Sequence, residues 1–329
     1  MIRPFSALMT ALLLAGCMDG TNPFSPVDAG TGTGTDPDNT TDFSEFSNNV
    51  QAVSYNQATG QLLIDLAALD RSDEDYPLVA YVRTPALDQD GYIAYTYQDD
   101  QLDRHFTAFV AVTPDGVSRG ITVSDGGQFN RFYSGTDFIA LEPFSNPFGG
   151  LVSVDNGLVS YAGTYVGLTN IDATGDQLLP VSAGVDDSLY PAQSAIIKGE
   201  IFLNVDFGDM LVNGAVYHRE WVNAPAALVT ESQTELDSST GLLYLPRLIL
   251  THTDISDTGE FLGDIETQDL NAIGSYAGVF GGTDATGVAG AIYSDGFLPT
   301  RDGEAEYGIF VLVQCGQPGD AAICDQINP

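Results

Sequence analysis

The sequence predicts an all-β protein in which an eight-stranded antiparallel barrel follows a smaller N-terminal β region. From residue 50 onward, short apolar and aromatic runs alternate with clusters of Gly, Asp, Asn and Pro, as is typical of strands joined by turns. No segment keeps a hydrophobic period near 3.6 residues, so we expect no long helix. The third observation is one stretch, 196–207, in which apolar and polar residues alternate strictly.

The alternating stretch indicates what surrounds the barrel. Ile201, Leu203 and Val205 share one parity, whereas Glu200 and Asn204 share the other. Successive side chains of a strand point to opposite faces, so this strand has one buried face and one wet face. A barrel embedded in lipid would have an apolar outer face instead. We therefore expect a soluble barrel with its bulky side chains inside.

Eight strands are predicted for the barrel. They are 158–168, 196–207, 210–217, 242–251, 259–266, 273–281, 286–294 and 306–314. Strands in this number close into a barrel that its own side chains fill, and closure removes exposed edges. We expect no enclosed ligand cavity, and we place partner binding on the N-terminal region and on two long polar connections, 169–195 and 218–241.

The stretch "GSYAGVFGGTDATGVAGAIY" (274–293) is unusually rich in glycine and alanine for a pair of strands. Small barrels alternate large and small interior residues, and their corners need glycine for strong coiling. We assign this architectural role to Gly274, Gly278, Gly282, Gly287 and Gly290. The aromatic and β-branched residues between these glycines argue against a flexible, low-complexity segment.

The N-terminal β region, 46–150, precedes the barrel region, 151–329. Its candidate strands are 61–66, 77–83, 91–98, 104–112, 117–123 and 136–141. The stretch "EPFSNPFGG" (142–150) is rich in Pro, Gly and Asn, and we interpret it as a linker.

The chain begins with features of an export signal. Arg3 precedes a short apolar stretch, 7–15, which is too short to span a bilayer as a helix. The stretch ends in "LAGC", which resembles a bacterial lipobox. That resemblance implies a signal peptide over 1–16, lipidation of Cys17 and, because Met18 follows, delivery to the outer membrane. The alternative is an ordinary secretory peptide with a chance cysteine.

Residues 17–45 contain mostly Gly, Thr, Pro and Asp, with few aliphatic side chains to bury. Such a segment cannot offset its chain entropy by packing, so we expect a flexible tether between the lipid and the folded part. A disordered leader without a role fits the same composition.

The formal net charge is −35, from 45 acidic and 10 basic residues. This balance excludes a nucleic-acid-binding protein and argues against docking on anionic lipid head groups. The acidic residues are scattered along the chain, which is typical of a solvated surface.

Two cysteines remain once Cys17 is assigned to the anchor. Cys315 and Cys324 form an even pair in an extracytoplasmic context, where disulfides persist, so we predict a bond between them. Two thiolates alone make a poor zinc site. The histidines His105 and His218 have no close Cys or His companion in sequence, nor does the third, His252, so we expect no metal site.

No catalytic signature was found in the sequence. It contains no Gly-x-Ser-x-Gly elbow, glycine-rich phosphate loop or His-Glu-x-x-His motif. The carboxylate-rich stretches 72–76 and 87–92 lack the complete EF-hand pattern and fit turns better than calcium sites. We therefore expect a non-enzymatic protein without a cofactor.

Three aromatic residues are candidates for partner binding. Tyr95 and Tyr97 share one face of a predicted strand, and Trp221 is the only tryptophan of the chain. Exposed aromatic side chains often recognise partners. The alternative for all three is packing on the barrel.

Three stretches carry a family resemblance. "GEFLGDI" followed by the glycine-rich stretch is similar to the C-terminal barrel of transferrin-binding protein B-like surface lipoproteins. "IFLNVDFGDMLVNGAVYHR" (201–219) resembles the hairpin of that family, and "GLVSYAGTYVGL" (157–168) resembles its barrel entry strand. The matching positions of the glycine-rich part are Gly259, Phe261, Gly263, Gly274, Tyr276, Gly278, Phe280, Gly281, Ala285, Ala289 and Gly290.

The resemblance covers 157–294 and represents a single lobe of a two-lobed receptor. It implies a lipoprotein anchored in the outer membrane and exposed at the cell surface, with 46–150 as a handle-like domain. It further implies binding of an extracellular protein or a haem or metal carrier, in a role in metal or haem acquisition. A structural or assembly lipoprotein of the envelope is the alternative function, and an unrecognised hydrolase is the third.

Overall fold

A computed structural model describes most of the chain. The described residues are 41–67, 78–129, 131–148, 157–173, 175–298 and 301–325. The predicted signal peptide, Cys17, nearly all of the tether and the carboxylate-rich stretch 72–76 lie outside them. Within the described part, none of the helices has both the length and the apolar character needed to cross a membrane.

Seven antiparallel strands form the N-terminal sheet, and each pairs with the next one along the chain. They are β1 (Val50–Asn56), β2 (Gln61–Leu66), β3 (Val79–Arg83), β4 (Ile93–Tyr97), β5 (Phe106–Val112), β6 (Ser118–Asp125) and β7 (Ser134–Ala140). The strand β1 was not predicted. A short helix, α1 (Ser44–Ser47), precedes it, and the backbone N–H of Asn49 donates to Ser134 O at 3.0 Å, so the sheet is nearly closed.

Eight strands form a closed antiparallel barrel, which confirms the predicted fold class. They are β8 (Leu158–Asp172), β9 (Ser194–Asp206), β10 (Leu211–Trp221), β13 (Leu248–Asp254), β14 (Glu260–Glu266), β15 (Ala272–Gly281), β16 (Gly287–Asp295) and β17 (Ala305–Gln314). The barrel closes because β8 pairs with both β17 and β9.

The prediction of a strand over 242–251 was wrong at its start. The barrel strand begins only at Leu248, and residues 243–244 form the short strand β12 (Leu243–Tyr244). This strand pairs with β11 (Glu235–Leu236) in a two-stranded ribbon that follows helix α2 (Ala226–Ser232). Pro246 separates this ribbon from β13, because proline has no N–H to donate to a strand ladder.

Side chains fill the barrel interior. The predicted inward residues Ile201, Leu203 and Val205 belong to its buried core. Glycine makes room for the aromatic rings: a Cβ added at Gly278 would lie 2.3 Å from the Phe261 ring. A Cβ at Gly290 would lie 2.2 Å from the Phe310 ring, so the interior alternates large and small side chains as expected.

The N-terminal sheet covers part of the outer barrel wall. Phe46 and Phe138 pack against a small-residue surface made by Ala277, Ala289 and Ala291. The alternation that predicted a wet outer face in β9 therefore does not extend to β15 and β16. There Ala277, Ala289 and Ala291 face outward, and Phe46 of α1 and Phe138 of the N-terminal sheet lie on them. This contact accounts for the alanines of the 274–293 stretch.

The described part of the predicted linker, 142–148, packs across one end of the barrel. The ring of Phe144 lies 5.8 Å from that of Phe207 and 6.3 Å from that of Phe280. The Asn146 amide donates to Phe207 O at 3.1 Å. This segment covers the end at which the barrel strands are joined by short turns.

Candidate functional site

The opposite end of the barrel carries the long connections. We call it the loop end; its described residues are 173, 175–193, 222–247, 267–271, 296–298 and 301–304. The first predicted long connection is shorter than expected, because β8 continues to Asp172. The second is shifted along the chain and slightly longer, because β10 continues to Trp221 and β13 begins only at Leu248. Loops held on a rigid barrel are a common place for binding residues.

Apolar side chains are exposed at the loop end. Leu236, Leu242 and Leu243 of the ribbon region are 62%, 55% and 51% exposed, and Leu270 of a neighbouring turn is 74% exposed. The Gln268 amide, in that same turn, lies 3.3 Å from a Glu235 oxygen and connects it to the ribbon. Exposed apolar groups gathered in one place are typical of interaction sites.

The same connections are rich in acidic residues. The loop-end connections contain two arginines, Arg247 and Arg301, and considerably more carboxylates. The acidic residues are Asp176, Asp186, Asp187, Glu231, Glu235, Asp237, Asp269, Asp302 and Glu304. The loop end therefore combines exposed leucines with an excess of acidic residues, which favours a partner that carries cationic groups.

A β-bulge in β10 shapes the adjacent outer wall. The pairing with β9 shifts between Tyr217 and Glu220, and His218 has a positive φ of 50°. The inserted residue places Tyr217 and His218 next to each other on the outer wall, while Arg219 enters the barrel interior. A bulge commonly redirects a side chain next to a functional site.

His218 connects the barrel wall to the ribbon. Its Nδ1 lies 2.6 Å from Glu200 Oε2, and its Nε2 lies 3.7 Å from Asp237 Oδ2. The Tyr244 ring stacks on the imidazole with the ring centres 4.7 Å apart. Hydrogen bonds from Thr240 and Ser239 hold the pKa of the Asp237 carboxyl well below its usual range. The carboxylate facing His218 is therefore ionised at neutral pH.

A groove of about 550 Å³ runs between the outer wall and the ribbon; we call it the ribbon groove. Its barrel side includes Phe202, Asn204, Asn213 and Tyr217, and its ribbon side includes Asp237, Ser238 and Tyr244. A smaller recess of about 220 Å³ lies on the other side of His218 and Tyr244, beside Asp90.

The two tyrosines that were candidates for partner binding are not exposed to solvent. Tyr95 is buried, and its hydroxyl donates to Gly60 O at 2.9 Å. Tyr97 is half-buried, with its ring 5.7 Å from that of Tyr81. Both belong to the core of the N-terminal sheet and not to its barrel-facing side. The face of β4 that carries both tyrosines points into the core of the N-terminal sheet, so the Tyr95 side chain is not accessible to a partner.

Trp221 is also buried, at 7% exposed, within the barrel core. Its indole N–H donates to Ser232 Oγ at 2.8 Å and so fixes α2 to the barrel. This burial leaves little of the side chain accessible to a partner and supports the alternative interpretation, packing on the barrel. Partner binding by Trp221 stays a prediction.

The predicted disulfide is confirmed: Cys315 and Cys324 are bonded, with Cα atoms 5.4 Å apart. The bridge packs with Ile323 on the outer wall near Phe202. Across the described ranges, no three His, Cys, Asp or Glu side chains are grouped so that they could hold a metal ion. In the stretch 87–92, Asp88 accepts from Arg83, at 2.7 Å, and from the Ala94 N–H, which fits a turn.

Sequence reasoning missed the His218 arrangement. The three histidines were interpreted singly, because Glu200, Asp237 and Tyr244 are distant in sequence from one another. A cue was available in the polar run "HRE" at 218–220, which breaks the parity of β10.

No family model and no curated protein matches the chain. Similar solved structures are of transferrin-binding protein B. A double mutant from Haemophilus parasuis Hp5 has a TM-score of 0.38 at 11% identity, covering 72% of this chain and 39% of that one. The isotype 1 protein from serogroup B Neisseria meningitidis has a TM-score of 0.39 at 11% identity, with coverages of 82% and 42%.

The intact protein designated Ap, with its N and C lobes, has a TM-score of 0.37 at 11% identity, with coverages of 80% and 46%. The chain thus spans less than half the length of each of these proteins. Similarity at this level assigns no ligand, partner or location to this chain.

Proposed function

We propose that the chain is a lipid-anchored protein of the outer-membrane surface that binds an extracellular partner through the loop end. The observation that carries the proposal is the difference between the two barrel ends. One end is covered by residues 142–148, whereas the other presents exposed leucines among acidic residues. Because side chains fill the barrel, binding belongs on its surface.

The anchor rests on the "LAGC" stretch and the tether-like composition that follows it. A tether of this composition would hold the folded part away from the bilayer. The acidic surface fits this arrangement, because a net charge of −35 keeps a domain off anionic head groups.

The family resemblance supports the partner class. Its motif residues lie on adjacent paired strands: Gly263 is opposite Tyr276, and Gly278 is opposite Gly290. A protein that carries metal or haem is the partner class we infer from that resemblance. Transferrin, named for the similar solved structures, is one candidate within it.

The role we propose is non-catalytic. In the part of the chain that the structure describes, Arg247 of the ribbon groove is paired with Glu235, and His218 is paired with Glu200 of the neighbouring recess. An envelope protein as the partner would favour the structural or assembly alternative.

Partner capture with matched variants tests the proposal. The full-length protein in detergent is immobilised and exposed separately to iron-loaded transferrin, iron-free transferrin, a haem-loaded serum carrier and whole serum. We expect a partner that the wild type retains and that a Leu236→Lys, Leu243→Lys variant loses. The control is Leu158→Lys, since Leu158 is 72% exposed at the other end of the barrel.

If the Leu236→Lys, Leu243→Lys variant and the Leu158→Lys control retain the same proteins, the binding site lies away from the loop end. If the wild type retains nothing in any arm, the binding function itself is wrong.

A further inference from the structure

We propose that the ribbon groove binds a short, neutral oligosaccharide, a function beyond the protein binding proposed above for the loop end, to which the ribbon belongs. The groove volume of about 550 Å³ is within the range of small-molecule sites. It lies between the outer wall of β9 and β10 and the β11–β12 ribbon. Its chemistry, its charge balance and its aromatic content all favour a ligand rich in hydroxyl groups.

The groove offers neutral hydrogen-bonding groups on both sides. Asn204 and Asn213 line the barrel side, and Ser238 and Ser239 line the ribbon side. Amides and hydroxyls both donate and accept, as sugar hydroxyls do. The Asn204 amide nitrogen lies 3.5 Å from Asn213 Oδ1, a long contact that a ligand hydroxyl could replace with a shorter one.

The charged groups around the groove are paired. Arg247 lies 2.5 Å from Glu235, and His218 lies 2.6 Å from Glu200. Asp237 accepts hydrogen bonds from the Ser239 N–H and hydroxyl and from the Thr240 hydroxyl. An ionic ligand would have to displace one of these partners, whereas a neutral ligand leaves every pair intact. The groove therefore favours a ligand without net charge.

Tyr244 supplies an aromatic ring in the wall of the groove. The ring lines both the ribbon groove and the smaller recess, and the imidazole of His218 stacks on it at 4.7 Å. Sugar rings present C–H groups that pack against aromatic rings, while their hydroxyls bind polar neighbours. His218 thus acts as a positioning residue that holds the ring in place.

The groove is shaped before any ligand arrives. The positive φ of His218 is an uncommon conformation for a residue other than glycine, and such outliers gather at binding sites. The ribbon is fixed at its base, because Glu235 accepts from the Arg247 backbone N–H at 2.7 Å. A preformed groove loses less freedom when a ligand binds.

The test is a printed array of neutral, amino and acidic oligosaccharides probed with the full-length protein in detergent. A titration with the best neutral glycan then measures Kd. We expect binding to neutral glycans, and a loss of at least tenfold in affinity in Tyr244→Ala. A Ser238→Trp variant fills the groove from an exposed loop position and should abolish binding without affecting folding.

The matched control is Thr234→Trp, an exposed position of the same connection outside the groove lining. It should bind as the wild type does. An array without neutral hits, hits confined to acidic or amino glycans, or neutral binding that survives Ser238→Trp would overturn the proposal. The ribbon belongs to the loop end and Leu236 also lines the groove, so glycan binding is tested with Ser238→Trp and Tyr244→Ala, and protein capture with the leucine variants. Loss of glycan binding with capture retained, or the reverse, distinguishes the two functions.

Discussion

Arg219 and Glu306 form an ion pair inside the barrel, and both side chains are fully excluded from solvent. The Tyr165 hydroxyl donates to Glu306 Oε1 at 2.8 Å, and Arg219 donates to Pro246 O at 2.6 Å. The bulge at His218 gives Arg219 its inward direction. The same pair therefore connects the barrel interior to the base of the ribbon.

Breaking this pair should be costly, while replacing both partners should not. Glu306→Gln leaves the Arg219 charge buried without its counter-ion, and we expect a loss of about 3–5 kcal/mol in the free energy of unfolding. The double variant Arg219→Met, Glu306→Leu should recover most of that loss. Urea unfolding of the three proteins is the measurement. A double variant as unstable as Glu306→Gln would contradict this account.

Removing the hydroxyl group should lower the free energy of unfolding at one buried tyrosine and not at another. Tyr165→Phe removes a bond to a buried carboxylate, so we expect a loss of about 1–3 kcal/mol. The Tyr217 hydroxyl is buried without a protein hydrogen-bond partner. Tyr217→Phe should therefore be neutral or stabilise by up to about 1 kcal/mol. Thermal unfolding of both variants measures the two stability changes. Equal losses of stability would contradict the difference in hydrogen bonding between the two hydroxyls.

His105 should make stability depend on pH. Its ring is buried with both nitrogens unpartnered, and burial lowers its pKa from 6.5 to about 4. Below pH 6.5 the imidazole of His105 is protonated in the unfolded chain, whereas in the folded chain it stays neutral down to about pH 4. The free energy of unfolding is therefore highest above pH 6.5 and falls as the pH is lowered. The loss amounts to about 2 kcal/mol at pH 5.

Comparison with His105→Leu isolates that contribution, because both proteins share all other titrating groups. We expect the stability difference between wild type and variant to shift by about 2 kcal/mol from pH 8 to pH 5. A difference that does not change with pH would show that His105 titrates normally in the folded protein.

Removing the disulfide should destabilise the protein without changing its barrel. Cys315 and Cys324 are nine residues apart, and opening so short a loop costs about 2–3 kcal/mol on the chain-entropy account. The double variant Cys315→Ala, Cys324→Ala tests this in guanidinium unfolding. Mass spectrometry of unreduced peptides checks the bond itself, and two free thiols in exported protein would refute it.

Lipidation at Cys17 remains a prediction. In Cys17→Ala the attachment atom is missing, so we expect the protein to leave the outer-membrane fraction and become soluble. Protease treatment of intact cells carrying the wild type tests its display at the surface. A variant that still partitions with the outer membrane would show that another feature attaches the chain.

Sequence alone was sufficient to predict the all-β class, the eight barrel strands and the disulfide. These features depend on local information: period-two alternation, turn residues and the spacing of two cysteines. The inward parity of Ile201, Leu203 and Val205 was predictable for the same reason. The expected loop candidates also lie at one end of the barrel, although the strands β8 and β10 extend into them.

Only the tertiary structure decided what covers each face. Alternation showed that Tyr95 and Tyr97 share a face but not that this face is buried, and it did not show that Phe46 and Phe138 cover the alanines of the barrel wall. Contacts such as that of the Tyr92 hydroxyl with Thr164 O, at 2.7 Å, join residues far apart in sequence. The ribbon groove also depends on tertiary contacts, because a bulge in β10 and the break at Pro246 place His218 next to Tyr244. Local sequence patterns do not indicate pairings between residues so far apart in the chain.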